Sequence, residues 1–151
     1  LMAPRPELDQ AYTMAAIEGF EYFKRRYPAS EKIEEADNII RDCQDKLVEK
    51  SYLSARLYFD MKRYRAAIVA LSNSIKEYPE TKFREELLFL KLESTYQFAL
   101  RSVADKKRER YQDTLDEYYS YIEEFPDTKF DKEVDRIHRA TAGFLNVEII
   151  N

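Results

Sequence analysis

Apolar residues recur along this 151-residue chain at helical spacing, and the pattern halts and restarts three times. Tyr64, Ile68, Leu71, Ile75 and Tyr78 step by 4, 3, 4 and 3. Tyr111, Leu115, Tyr118, Ile122 and Phe125 step identically, and Thr13, Ile17, Phe20 and Tyr27 hold the same frame with Lys24 as a polar intruder. That rhythm places one apolar stripe along one helix face. A second kind of helix lies between these segments. From Glu31 to Met61 there is neither Pro nor Gly, and Ile33, Ala36, Ile40, Cys43 and Leu47 keep the 3–4 rhythm. A continuous helix there is roughly 45 Å long at 1.5 Å per residue.

The halts share one chemistry. Pro28, Pro79 and Pro126 lie 51 and 47 residues apart. An aromatic residue precedes each (Tyr27, Tyr78, Phe125), and a hydroxyl follows two residues later (Ser30, Thr81, Thr128). Proline drives its predecessor out of the helical region and has no amide to donate, so the helix stops. The hydroxyl then supplies an N-cap for the next helix. Glu34-Glu35, Glu85-Glu86 and Asp131/Glu133 bring negative charge to each new N-terminus, where the macrodipole favours it. The pattern predicts helices near 8–26, 31–61, 64–77, 82–103, 108–124 and 129–146. No single striped helix can bury its face alone, so repeated units of this kind stack into a helical solenoid. The expectation is one all-α domain over 1–151, with units near 8–27, 31–79 and 82–126 and a final helix at 129–146.

Composition sharpens this. Charged residues make up 36% and aromatics 14%, with 12 Tyr, no Trp and only 2 Gly. Such scarce glycine argues against tight hairpins, phosphate-cradling loops and nucleophile elbows. A net charge of −4 argues against a general nucleic-acid binder. The single cysteine, Cys43, excludes an internal disulfide framework, and no apolar run approaches the length of a membrane span. The start, LMAPRPELDQ, has neither a basic nor an apolar signal region, and reads as the beginning of a fragment or a processed chain.

The middle unit fits the tetratricopeptide pattern of small and aromatic residues at fixed offsets: Ala55, Tyr58, Tyr64, Ala67, Leu71 and Pro79, with Thr81 opening the next unit. The third unit keeps Tyr96, Tyr111, Leu115, Tyr118 and Pro126, followed by Thr128. Tyr58 and Tyr64 are 6 residues apart, whereas Tyr96 and Tyr111 are 15 apart, so the stretch SVADKKRERY carries an insertion. The first unit lacks its first helix. In this order, LDQAYTMAAIEGFEYFKRRYPAS, KLVEKSYLSARLYFDMKRYRAAIVALSNSIKEYP and KKRERYQDTLDEYYSYIEEFPDTKF resemble the BamD family in its Bacteroidetes-like form. These are tetratricopeptide lipoproteins of the outer-membrane β-barrel assembly machinery. The resemblance covers nearly the whole chain. It implies an all-α, tetratricopeptide-like α-solenoid of about three helix pairs with long helices. It further implies a non-enzymatic periplasmic scaffold, held at the outer membrane by an N-terminal lipid outside this chain. Its partners would be the barrel-forming assembly subunit and unfolded outer-membrane proteins, with this chain as the partner-docking end.

The remaining candidates carry little chemistry. Cys43 lies on the apolar stripe and reads as a small buried hydrophobe. His138 has no second histidine or further cysteine to share a metal, so it reads as structural or solvent-facing. The carboxylate pairs Asp116-Glu117 and Glu123-Glu124 are adjacent on a helix, point about 100° apart and read as a solvated face. No catalytic constellation, metal site or cofactor site emerges. Lys24-Arg25-Arg26 and Lys62-Arg63 lie at helix C-termini, which welcome cations. Lys106, Lys107, Arg108 and Arg110 belong to the insertion and are candidates for an anionic partner surface or lipid headgroups, beside a solvated extension. Arg84 stands just inside a helix start, against the dipole, so the local helix gives no reason for it. Pairing with a neighbouring repeat or a partner does, and the resemblance implies contact between an arginine near this place and the barrel-forming subunit, with the register shifted by one residue. The tail NVEIIN, with Val147, Ile149 and Ile150, either caps the last helix pair, pairs with another chain or frays.

Two other adaptor classes compete. A Tol–Pal coordinator-like adaptor shares the aromatic-Pro-x-Ser/Thr ends, but spacings of 51 and 47 fit its more regular repeats poorly. A co-chaperone clamp for C-terminal carboxylates uses Asn and Lys, where this chain offers Glu49, Tyr52, Leu53 and Arg56.

Overall fold

Three proline corners set the architecture. The computed structural model describes residues 5–147, and the described residues form six helices and no strand. They are α1 (Ala11–Arg26), α2 (Ile33–Asp60), α3 (Tyr64–Glu77), α4 (Arg84–Leu100), α5 (Ala104–Glu124) and α6 (Asp131–Leu145). At each corner the residue before proline closes the outgoing helix. Tyr27 N–H donates to Phe23 O at 2.9 Å, Tyr78 N–H to Ser74 O at 3.0 Å and Phe125 N–H to Tyr121 O at 2.9 Å. The hydroxyl two residues past proline then accepts an amide two residues further on. Ser30 takes Lys32 N–H at 3.2 Å, Thr81 takes Phe83 N–H at 3.2 Å and Thr128 takes Phe130 N–H at 3.1 Å.

Here the expected N-cap needs correction. The helices begin at Ile33, Arg84 and Asp131, three residues past each hydroxyl. Ser30, Thr81 and Thr128 therefore close a hydroxyl turn that feeds the helix, and do not cap its first turn directly. Boundaries also move, and α1 begins at Ala11 instead of 8. The inserted basic stretch is helical from Ala104, four residues earlier than its pattern suggests, and α4 ends at Leu100 instead of 103. The insertion is thus spent on lengthening α5.

The chain divides into two compact units, Leu1–Ser54 and Ala55–Asn151. In the first, Thr13, Ala36, Ile40 and Cys43 are buried. Gln10 anchors the start of α1, donating from its side-chain amide to Arg5 O at 2.8 Å while accepting the Thr13 hydroxyl at 2.6 Å. Lys24 Nζ meets Asp37 at 2.5 Å, tying the end of α1 to α2. Cys43 is fully buried, and burial pushes its thiol above the usual range, which leaves it an inert core residue.

In the second unit α4 packs on α3, α5 and α6, and α5 packs on α6. Ala67, Leu71, Leu92, Ala99, Val134 and Ile137 are buried at its centre. The predicted stripes hold: Leu71 is buried on α3, and Tyr111 and Leu115 on α5, with Tyr118, Ile122 and Phe125 half-buried against the same core. Tyr121, off that stripe, is nonetheless buried, because α5 lies between α4 and α6 and buries a wider face than one stripe. Stacked rings clamp α6 in place. Phe89 lies on Phe130 and Tyr111 on Phe144, each at 4.1 Å between centroids. Tyr58, expected as a repeat-defining aromatic, is instead 42% exposed. Its neighbour Phe59 makes the corner contact, an edge-to-face packing on Tyr64 at 6.0 Å.

Two helix ends use a left-handed residue other than glycine, Lys62 after α2 and Asn146 after α6. In each, the following amide bonds back to a carbonyl five residues earlier: Arg63 N–H to Tyr58 O at 2.9 Å and Val147 N–H to Ala142 O at 3.2 Å. Asparagine tolerates this conformation and lysine does so at a cost. Of the expected tail contacts, Val147 is exposed, while Ile149 and Ile150 lie outside the described residues.

Lys62→Gly should relieve the left-handed strain at φ 58°, raising stability by about 0.5–1 kcal/mol in urea unfolding, after the entropy cost of glycine. His138 supplies a second test. It is buried, stacked on Tyr118 at 4.0 Å, and burial lowers its pKa from the ordinary 6.5. Protonation therefore favours the unfolded chain. The stability that neutral His138 contributes is complete above 6.5 and is lost as pH falls through 6.5 toward the lower folded value. Between about pH 7.5 and about pH 5.5 the wild-type melting temperature should fall more steeply than that of His138→Phe, which keeps the stack and cannot titrate.

Candidate docking surface

Surfaces that stacked helices can offer a partner are corners, grooves and ends, and each has its own charge here. At the α3–α4 corner Arg84 occupies the first position of α4. Its guanidinium grips the Glu124 carboxylate at the end of α5 with two N–H donors, the Nη2 bond at 3.0 Å, and its Nη1 donates to Pro79 O at 3.0 Å. Proximity to Glu124 raises the arginine pKa further. The fold thus supplies the reason that the local helix does not. One planar fork satisfies a carbonyl left over by the proline stop and fastens one repeat corner to the next. Any role for Arg84 toward a partner must act from within this pair.

The neighbouring glutamates are also bridges. Glu85 accepts the Thr128 hydroxyl at 2.9 Å and Lys129 N–H at 3.1 Å, and Thr128 in turn shares a 2.5 Å bond with the buried Tyr121 phenol. Glu86 pairs with Arg56 at 3.1 Å. The acids read from sequence as dipole partners are therefore ties between repeats as well. Two members of the expected solvated carboxylate face behave the same way, with Glu117 held by Lys91 at 2.8 Å and Glu124 by Arg84. Glu93, nearly buried, was missed by sequence reasoning. It takes Arg136 at 2.6 Å and the Gln97 amide at 2.6 Å. Its only signal is a glutamate that closes the leucine-rich stretch LLFLKLE.

The basic candidates from the insertion separate. Arg110 turns inward, stacking over Phe98 at 4.1 Å and donating to Ser102 Oγ at 2.6 Å, so it braces the α4–α5 corner. Lys106 and Arg108 are exposed, Lys107 half-buried, and Lys106 pairs loosely with Glu109 at 3.3 Å. Among the repeat residues, Ala67 and Tyr111 are buried, Tyr64 is half-buried under Arg101 at 4.9 Å, and Pro79 and Pro126 stand exposed at corner tips.

Grooves lie between helices among the described residues, and two of them bear on the candidates above. One of about 560 Å³ in the first unit is lined by Ala16, Gly19, Phe20 and Phe23 of α1 and by Ala36 and Ile39 of α2. The other, about 300 Å³ in the second unit, has Ile68, Val69 and Phe98 as its floor and Arg65, Lys91 and Asp113 at its walls. Burial, with Glu109 and Asp116 nearby, raises the Asp113 pKa. No cluster of three or more potential metal ligands occurs among the described residues. The groups present can bind and position, through charge pairs and apolar contact.

The family model for YfiO, outer membrane lipoprotein, matches residues 2–111, which span α1 to α4 and the start of α5. The chain belongs to the YfiO family. This is the BamD family expected from the repeat pattern, and the all-helical, tetratricopeptide-like fold agrees with it. No individual curated protein matches the chain. The YfiO match covers the Arg84 corner and the basic insertion, while α6 and its aromatic clamps lie beyond it.

The Arg84–Glu124 pair is open to direct measurement. With side chains 33% and 38% exposed it is a surface pair, and a double-mutant cycle of Arg84→Ala and Glu124→Ala should give a coupling of about 0.5–1 kcal/mol, shrinking in high salt.

Proposed function

We propose that the chain is a non-enzymatic scaffold of outer-membrane β-barrel assembly that docks a periplasmic domain of the barrel-forming subunit. The observation that carries this reading is the YfiO match across the repeat stack, over residues 2–111. Two physical features support it. The second unit is braced by charge pairs between helices, Arg84–Glu124, Lys91–Glu117 and Arg136–Glu93, so its surfaces are held in fixed relation. Docking onto a preorganised surface loses little conformational entropy. Its corners also display charged side chains that a periplasmic domain can match in register.

On this reading Arg84 and its Glu124 partner form the docking corner, and the grooves accept apolar side chains of the partner or of unfolded outer-membrane proteins. The scaffold operates in the periplasm at the outer membrane, as a lipoprotein. It does no chemistry of its own. Arg84 contributes twice, by stiffening the corner and by presenting its outer edge to an acidic group of the partner.

Affinity capture of the full-length protein from detergent-solubilised envelopes should recover the barrel-forming subunit. Arg84→Ala should lower that recovery several-fold more than Glu124→Ala, although both break the internal pair equally. Equal losses from the two variants would confine Arg84 to an internal role, and recovery of no barrel-assembly subunit would overturn the scaffold reading.

A further inference from the structure

The second unit is electrically polarised along its helices. At one end lie the α2–α3 corner, the end of α4 and the start of α5. Arg101 stacks over Tyr64 at 4.9 Å, and Arg65, Phe98 and Arg110 line one groove, so these segments meet in space. Residues 60–65 and 100–110 together hold eight basic and three acidic side chains, a surplus of five on a chain whose net charge is −4. The opposite corners, residues 77–86 and 123–133, hold nine acidic and four basic side chains.

Lys62, Arg63 and Arg101 lie at helix C-termini, which welcome cations, but other cations of this end have no such reason. Arg65 stands in the first turn of α3 and Lys106 and Lys107 in that of α5, where the macrodipole disfavours positive charge. Lys62 adopts a left-handed conformation that glycine would take without strain, as noted above. Between these cations the chain exposes apolar side chains: Val103 at 65%, Met61 at 51% and Leu100 at 42%. Val103 sits at the tip of the α4–α5 connection, flanked by Arg101 and by Lys106-Lys107-Arg108.

We propose that this end of the second unit rests on an anionic lipid bilayer, with Val103 and Leu100 entering the headgroup layer and the surrounding lysines and arginines on lipid phosphates. A bilayer suits the patch better than an acidic protein domain because it demands no fixed pairing. The cations sit on three separate segments and vary in exposure, and a fluid anionic surface can meet them all. An apolar tip ringed by cations is the pattern of shallow interfacial binding. The acidic end is repelled by the same surface, so binding has one orientation. No helix among the described residues is long and apolar enough to cross a membrane, and the contact is peripheral. It takes its setting from the outer-membrane family and does not depend on which protein subunit the scaffold docks.

The test uses the purified chain and vesicles of phosphatidylcholine with or without phosphatidylglycerol. The protein should float with phosphatidylglycerol vesicles at low salt, not with pure phosphatidylcholine, and release as salt rises. Each cation at the surface adds about a fivefold factor, so Lys106→Glu, Lys107→Glu and Arg108→Glu together should weaken binding at least tenfold. Far-UV dichroism of this variant and of Val103→Asp, which should also bind more weakly, checks that the helices remain. Because the chain has no Trp, Val103→Trp and Asp127→Trp are clean reporters of orientation. Emission should shift to the blue on binding for the first and stay unchanged for the second. Failure to bind phosphatidylglycerol vesicles, equal binding to both lipids, or a blue shift at position 127 alone would overturn the proposal. So would displacement by soluble polyglutamate with no loss in Val103→Asp, which would assign the patch to an acidic protein. Envelope capture of the barrel-forming subunit is unaffected by these outcomes, so the two readings fail separately.

Discussion

The corner is the constraint on which the second unit depends. A proline stop leaves carbonyls unpaired, and a restart leaves amides unpaired, in a loop too short to fold back on itself. The Thr81 and Thr128 hydroxyls satisfy one amide each. Further ties run within the corner and to the adjoining repeat. Arg84 reaches Pro79 O behind it and Glu124 ahead, and Glu85 reaches Thr128 and Lys129. The Pro126 corner is thus completed by side chains of the Pro79 corner, which couples neighbours, as a stack of repeats requires.

That coupling also explains what could be read in the sequence and what could not. Prolines, hydroxyls and 3–4 stripes are local signals, and they located all six helices to within a few residues. The burial of Leu71, Tyr111 and Leu115 followed from the same stripes. Ties between residues on different helices leave no local trace. Arg84 looked superfluous on its own helix because its partner is Glu124. Glu117 looked solvated because Lys91 lies on another helix. Tyr58 looked structural because it matched an offset, although Phe59, one residue on, faces the corner. The insertion was legible as extra residues, but only three-dimensional placement separates the inward Arg110 from the exposed Arg108.

The aromatic content acquires a purpose at the final helix. Helix α6 is short and carries charges on its outer face, so its hold on the stack comes from ring contacts as much as from aliphatic burial. Phe130 on Phe89, Phe144 on Tyr111 and His138 on Tyr118 meet it along its length. Flat stacks of this kind bury large area with few rotatable bonds. They also explain a neutral histidine in a highly charged chain. An imidazole sandwiched against a phenol behaves as one more ring, provided that it stays unprotonated.

Charge, finally, separates what holds the fold from what faces outward. Several carboxylates of the second unit are tied into pairs that the fold uses, and the cations that answer them, Arg84, Lys91 and Arg136, sit beside their partners. The cations at the start of α5 do not fit this scheme. They stand against the helix dipole, and Lys106 makes a loose ion pair within its own helix. The first turn of α5 holds one acid, Asp105, which suits the dipole, and the lysines that follow it do not. Cations that oppose their own helix, gathered around an exposed valine, are accounted for by a surface outside the chain, and a negative one.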